Sequence, residues 1–139
     1  MGVELLVEDL PPSPVRAYDH HVHTEITRVR AADPRQPSTS RHEPVVLTRR
    51  PDRLTPLLLA ACAEGRRLSK VAIRATDGDE HPVFRIEMAR VYVISVLTSF
   101  GDEGPVETVT LDYGAVSWHW DGADTVQAAW EVHPPPEDG

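Results

Sequence analysis

Three features of the sequence predict a mainly β fold, a small barrel of two packed sheets with one short flanking helix. Apolar residues alternate with polar ones over much of the chain, the period of half-buried strands. Only the stretch from Thr55 to Gly65 carries both a start and a stop signal for a helix. The last long strand changes its apolar parity near Gly114, as strands do where a sheet bends to close.

The elements follow in order. Val3 to Asp9 reads as a strand, with Val3, Leu5 and Val7 on one face. Pro11, Pro12 and Pro14 stop it, because proline has no amide hydrogen for a ladder. Ala17 to Arg30 reads as a second strand, with Tyr18, His20, Val22, Thr24 and Ile26 on one face. Asp19, His21, His23, Glu25 and Thr27 lie on the other. Ala31 to Pro44 is rich in Pro and Ser and nearly free of apolar residues, which predicts a long loop, and long loops in compact domains are often functional. Pro44 to Arg49 is a short strand. Thr55 is placed to cap the helix with its hydroxyl, Pro56 suits the first helical position, and Gly65 suits the stop. The helix is apolar nearly all round, which calls for cover on most sides. Leu68 to Thr76 and Val106 to Trp120 are strands and Val83 to Thr98 is a long strand or a bent pair, joined by turns at Asp77-Gly78-Asp79 and Gly101 to Pro105. Residues 1–121 form the barrel domain, with its loop at 31–44, and 122–139 form a loosely ordered tail with three consecutive prolines near its end.

Composition narrows the function. At 139 residues the chain fits one domain, and 40% hydrophobic with 26% charged residues is a globular balance. The net charge of −8 opposes nucleic-acid binding and docking on an anionic membrane. The opening Met1 to Asp9 has no basic segment and carries acid among its apolar residues, so no cleavable signal peptide is expected. Cys62, the only cysteine, excludes an intrachain disulfide and reads as a small core residue.

One cluster invites a chemical reading. His21 and His23 point the same way on a strand and can share a zinc ion, with Asp19 or Glu25 beside them. A metal-binding module or hydrolase would need further ligands and a base. Asp33 follows ten residues after His23, but the spacing and companion residues of a metalloprotease pattern are absent. A polar, solvated strand face accounts for the cluster more simply, so no metal, no cofactor and no catalytic residue is assigned. Tyr113, Trp118, His119 and Trp120 form an aromatic strand end suited to core or subunit packing. No Gly-rich phosphate loop, nucleophile elbow or Cys-x-x-Cys is present.

The order and spacing of five further motifs are specific. Asp52-Arg53-Leu54-Thr55-Pro56 leads into the leucine-rich helix, and Gly65 closes it. The strand Lys70 to Arg74 and the acidic turn Asp77-Gly78-Asp79 follow. Then come the run from Phe84 to Val96 and the run Glu107-Thr108-Val109-Thr110-Leu111-Asp112-Tyr113-Gly114-Ala115-Val116. From Val45 to Trp120 the chain resembles the haemolysin-coregulated protein (Hcp) family, which forms the inner tube of type VI secretion systems. The His-bearing strand and the Pro/Arg-rich loop depart from the family pattern.

The resemblance implies a tail-tube-like barrel that assembles with itself into hexameric rings, stacked head to tail into a tube. It implies contractile sheath and spike proteins as partners, and secreted effectors carried in the lumen. It implies a bacterial cytoplasmic protein exported by the type VI apparatus, and no enzyme. The tube of a phage-like contractile system is the alternative on the same fold. On this reading the loop residues Arg35, Gln36, Ser38, Thr39 and Arg41 serve ring stacking. Asp19, His21, His23 and Glu25 then line the lumen or a subunit interface.

Overall fold

A computed structural model describes residues 2–27, 36–79, 81–122 and 124–132, with side chains described for all of these but 25–27 and 36–40. In chain order the elements are β1 (Gly2–Val7), β2 (Ser13–Val15), β3 (Ala17–Asp19), β4 (Val22–Thr27), β5 (Gln36–His42) and β6 (Val45–Arg49). Helix α1 (Thr55–Glu64), β7 (Arg67–Thr76), β8 (Pro82–Gly101), β9 (Gly104–Asp121) and β10 (Thr125–Glu131) follow. The expected β fold with one short helix is what forms. Its barrel strands hydrogen-bond as one eight-stranded antiparallel sheet in the order β2-β1-β7-β8-β9-β6-β3, with β10 also on β9.

Seven consecutive residues nearly close this sheet into a barrel. Val15 pairs with Val3 of β1 at one edge, and Ala17 pairs with Thr48 of β6 at the other. Arg16 lies between them and donates its amide to the Thr48 carbonyl at 2.8 Å. One short run of chain thus occupies both sheet edges, which removes the exposed ladder groups that would otherwise pair with another chain. The core inside is built from the inward parity of each strand, including Leu5, Leu47, Ile73, Ile86, Met88, Val91 and Leu111.

The helix starts differently from the expectation. Leu54 is the capping residue and makes no side-chain cap bond, while Thr55 is already helical. Thr55 Oγ1 instead accepts a hydrogen bond from the Asp52 amide at 3.0 Å, and Asp52 Oδ1 accepts one from the Leu54 amide at 2.8 Å. Pro56 sits in the first turn, and Gly65 ends the helix in the left-handed region with φ 64°, as expected. The helix packs against β8 through one face, burying Leu58 and Ala61 and leaving Leu57 and Leu59 exposed. Within one chain it is covered on fewer sides than its composition called for.

Three boundaries also change. The strand expected over Ala17 to Arg30 breaks at His20 and His21, because β3 pairs inside the barrel and β4 pairs outside it. Within the expected loop at 31–44, residues Gln36–His42 form β5, held by the β4 ladder rather than by any apolar pattern. Residues 28–35 lie outside the described residues. The expected loose tail holds β10, which pairs with β9 from Thr125↔Asp121 to Glu131↔Ala115. The cause is a free edge. β6 covers β9 only from Glu107 to Leu111, and β10 takes the same edge from Ala115 on.

Candidate functional site

Two groups of residues singled out in the sequence meet in one object. β4 and β5 form a two-stranded sheet of their own that pairs with no other strand among the described residues. His23 stands opposite Arg41, Thr24 opposite Ser40, and Thr27 opposite Gln36. The polar strand and the Pro/Ser-rich segment are therefore the two strands of a single hairpin arm. Ser38 and Thr39 lie on β5, and Glu25 on β4. Asp19 is not on the arm. It ends β3 at the barrel edge, opposite Val46. Arg35 and Asp33 lie outside the described residues.

His21 and His23 stack with ring centroids 4.9 Å apart, and His21 Nδ1 pairs with the Glu43 carboxylate. Both members of that pair are more than half exposed, so the pair adds little stability. Among the described residues, the side chains placed closely enough to share a metal ion are Asp77, Asp79 and His81 in the β7–β8 turn. That group includes neither His21 nor His23.

The arm leaves the barrel through a cluster of rings. His20 precedes β4, and His42 ends β5 opposite Val22. Trp118 Nε1 donates to His20 Nε2 at 3.0 Å, and His42 Nδ1 lies 2.7 Å from the Tyr113 hydroxyl. A cavity of about 580 Å³ opens beside them, lined by Tyr18, Asp19, His20, Phe84, Ile86 and Trp118 among others. Burial lowers the pKa of His20, and the nearby His42 and His21 lower it further. Burial also lowers that of His42. The Tyr113 hydroxyl is pushed above its ordinary range by burial and by the Asp112 charge. Strand parity marked Tyr113 and Trp118 and put His20 on the face of Tyr18 and Val22. It joined neither His20 nor His42 to the two rings, which meet them only through tertiary packing.

A second constellation was missed. Arg49 and Glu107 are both 0% exposed and ion-paired to each other. Arg49 also pairs with Asp52, donates to Ser13 Oγ at 2.6 Å and lies 3.4 Å from Thr55 Oγ1. Burial by itself would raise the Asp52 carboxyl. Hydrogen bonds from Ser13, Arg49 and the Leu54 amide outweigh it and hold the carboxyl below its ordinary value. The signal was present: Arg49 shares the inward parity of Val45 and Leu47.

Apolar side chains also remain uncovered on the outer surface. Leu97 is 65% and Phe100 74% exposed near the end of the β8–β9 hairpin, with Ile94 on the same strand. Val126 and Trp130 are exposed on β10.

No curated protein matches the sequence. Among solved structures the fold is close to that of Hcp1 from E. coli EAEC 042 pathovar, with TM-score 0.78, 19% identity, and 95% of this chain and 99% of that chain covered. Hcp1 from Salmonella typhimurium gives TM-score 0.78 and 16% identity over 94% of both chains. A structure described as a type six secretion system protein gives 0.83 and 15%, over 94% of this chain and 95% of that one. Identities this low show the fold alone. The sequence model of the family described as "Type VI secretion system effector, Hcp" matches residues 13–120, from β2 to the end of the long β8–β9 pair. With most of the barrel inside that match, the chain belongs to the Hcp family of type VI secretion proteins.

Proposed function

We propose that the protein is a structural subunit that assembles into hexameric rings, which stack head to tail into a tube exported by a contractile apparatus. Family membership supports this reading, and so does the outer surface. A barrel with a filled core still exposes Ile94, Leu97 and Phe100 together with Leu57 and Leu59 of α1. Large exposed apolar side chains on a closed fold mark contact surfaces. A heterologous contact between unlike patches closes into a ring when its rotation permits. The arm serves ring stacking through Gln36, Ser38, Thr39 and Arg41, with Arg35 beyond its described part. Asp19, His21, His23 and Glu25 supply polar surface to the lumen or a subunit interface. Effectors travel in the lumen, sheath and spike proteins are the outer partners, and the role requires no catalysis.

The observation that carries the reading is the family match over residues 13–120. Size exclusion with light scattering, followed by negative-stain imaging, tests it. The expected result is the mass of six 15.4 kDa subunits and hollow rings. A monomer at every concentration, without ring particles, overturns it.

A further inference from the structure

Among the described residues, four side chains join the base of the arm to the barrel. An indole nitrogen only donates, so His20 Nε2, which lies 3.0 Å from Trp118 Nε1, must be an unprotonated acceptor. The neutral ring then carries its proton on Nδ1, which is buried and has no hydrogen-bond partner among the described residues. His42 bonds Tyr113, and both imidazoles pack on the Tyr113 and Trp118 rings at centroid distances from 5.6 to 6.3 Å. The Glu43 amide donates to the His21 carbonyl at 3.1 Å and closes the base of the hairpin. The arm itself shares no ladder with the barrel. Among the described residues, this cluster is what joins the arm's base to the barrel side chains.

We infer that His20, His42, Tyr113 and Trp118 form an acid-sensitive latch, which holds the arm against the barrel when His20 is neutral and releases it when His20 gains a proton. A proton on Nε2 sets two N–H groups against each other across 3.0 Å. It also places a charge among aromatic rings that offer few acceptors. Tyr18 and Asp19 of β3 line the same cavity as His20, and His21, next in the chain, is paired with Glu43. His42 faces it from β5 and Tyr113 from β9, with Asp112 adjacent to Tyr113. β8 contributes Phe84 and Ile86, which are uncharged. Asp19, Glu43 and Asp112 are the anions in this set. Burial and the two neighbouring imidazoles still hold the His20 pKa below its ordinary value.

The sign follows from linkage. The closed latch binds the His20 proton more weakly than the open one, so closure strengthens as pH rises. It is complete above the ordinary histidine value of about 6.5 and is lost as pH falls through that value toward the lowered one. If the arm stacks rings as proposed above, acid frees the element that stacks them, and that consequence rests on the earlier reading. The latch itself does not, because it lies within one chain.

Two measurements on the full chain test it. Long-range ¹⁵N NMR of the imidazoles should show His20 as the Nδ1–H tautomer at pH 8, titrating below about 6.5. Hydrogen exchange, corrected for the intrinsic rate, should show the arm amides losing about tenfold in protection between pH 7.5 and 5 while β1 and β7 stay unchanged. His20→Gln keeps an acceptor without a titrating proton, and should hold the arm protected at pH 5. An Nε2–H tautomer, titration at or above the ordinary value, or unchanged arm protection in the wild type overturns the latch. So does a Gln variant that opens with acid as the wild type does. Should that variant misfold or stay open at every pH, the wild-type tautomer and titration decide. None of these readouts depends on assembly mass, so a failure of ring formation is seen separately.

Discussion

Arg49 places a full charge where no solvent reaches, and the polar letters of two sequence motifs turn out to be its partners. Asp52 and Thr55 come from the segment that starts the helix, and Glu107 from the start of the run along β9. Hydrophobic pattern alone assigns these residues no role, yet together they tie β2, β6, β9 and the helix start into one joint. A buried ion pair is weak grounds for net stability, but removing one partner strands the other charge. Glu107→Ala should therefore cost about 3–5 kcal/mol in chemical denaturation, and the pair Arg49→Met with Glu107→Leu should recover most of it. A loss under about 1 kcal/mol for Glu107→Ala would show that Arg49 finds other neutralisation. Period-two parity does place Arg49 inward. What parity does not supply is the partner 58 residues away.

At the scale of elements, the parity change near Gly114 has a cause on the neighbouring strand. Arg90 of β8 adopts φ 53° beside it, a left-handed conformation that side-chain-bearing residues seldom take. Buried positions then run Ile86, Met88, Val91, Val93 on β8 and Val109, Leu111, Tyr113, Val116 on β9, so both strands slip together. A Cβ at Gly114 would lie 2.9 Å from Arg90 Nε and 3.1 Å from Arg90 Cβ. An added methyl would thus crowd the arginine that crosses it, which has to shift to admit it. The separate register shift between Val93 and Ser95 adds a bulge further along β8. Gly114→Ala should lower stability by about 1–3 kcal/mol in a thermal melt, and less in an Arg90→Gly background. Equal losses in both backgrounds would place the cost elsewhere than in this crossing. Sequence reading found the slip on one strand and expected a bulge or sharp bend there, but the left-handed residue lay on the other.

For the whole molecule, the arm is an appendage whose removal should spare the barrel. Val22 and His42 are cross-strand partners, so replacing residues 23–41 with Asn-Gly closes the hairpin with a tight two-residue turn. The barrel should melt as before and rings should still form, while stacked tubes disappear from negative-stain images. Loss of the rings themselves would assign the arm to contacts within a ring. Local alternation, turns and the Pro56 and Gly65 signals sufficed for the strands from Val45 to Trp120, the helix span and the single-helix β class, because each is decided by residues within a turn or a strand's length of one another. The family followed from the same stretch. Sequence by itself also marked His21, His23 and the segment up to Arg41 as unusual, but as a strand and a loop rather than as one hairpin. Only the tertiary structure decided that pairing, the ring cluster at its base, the burial of Arg49 and the use of Thr125–Glu131 as a strand. In each case the deciding contact joins residues distant in the chain, or a backbone ladder forms on an edge left free by another strand. Neither leaves a local period for the sequence to show.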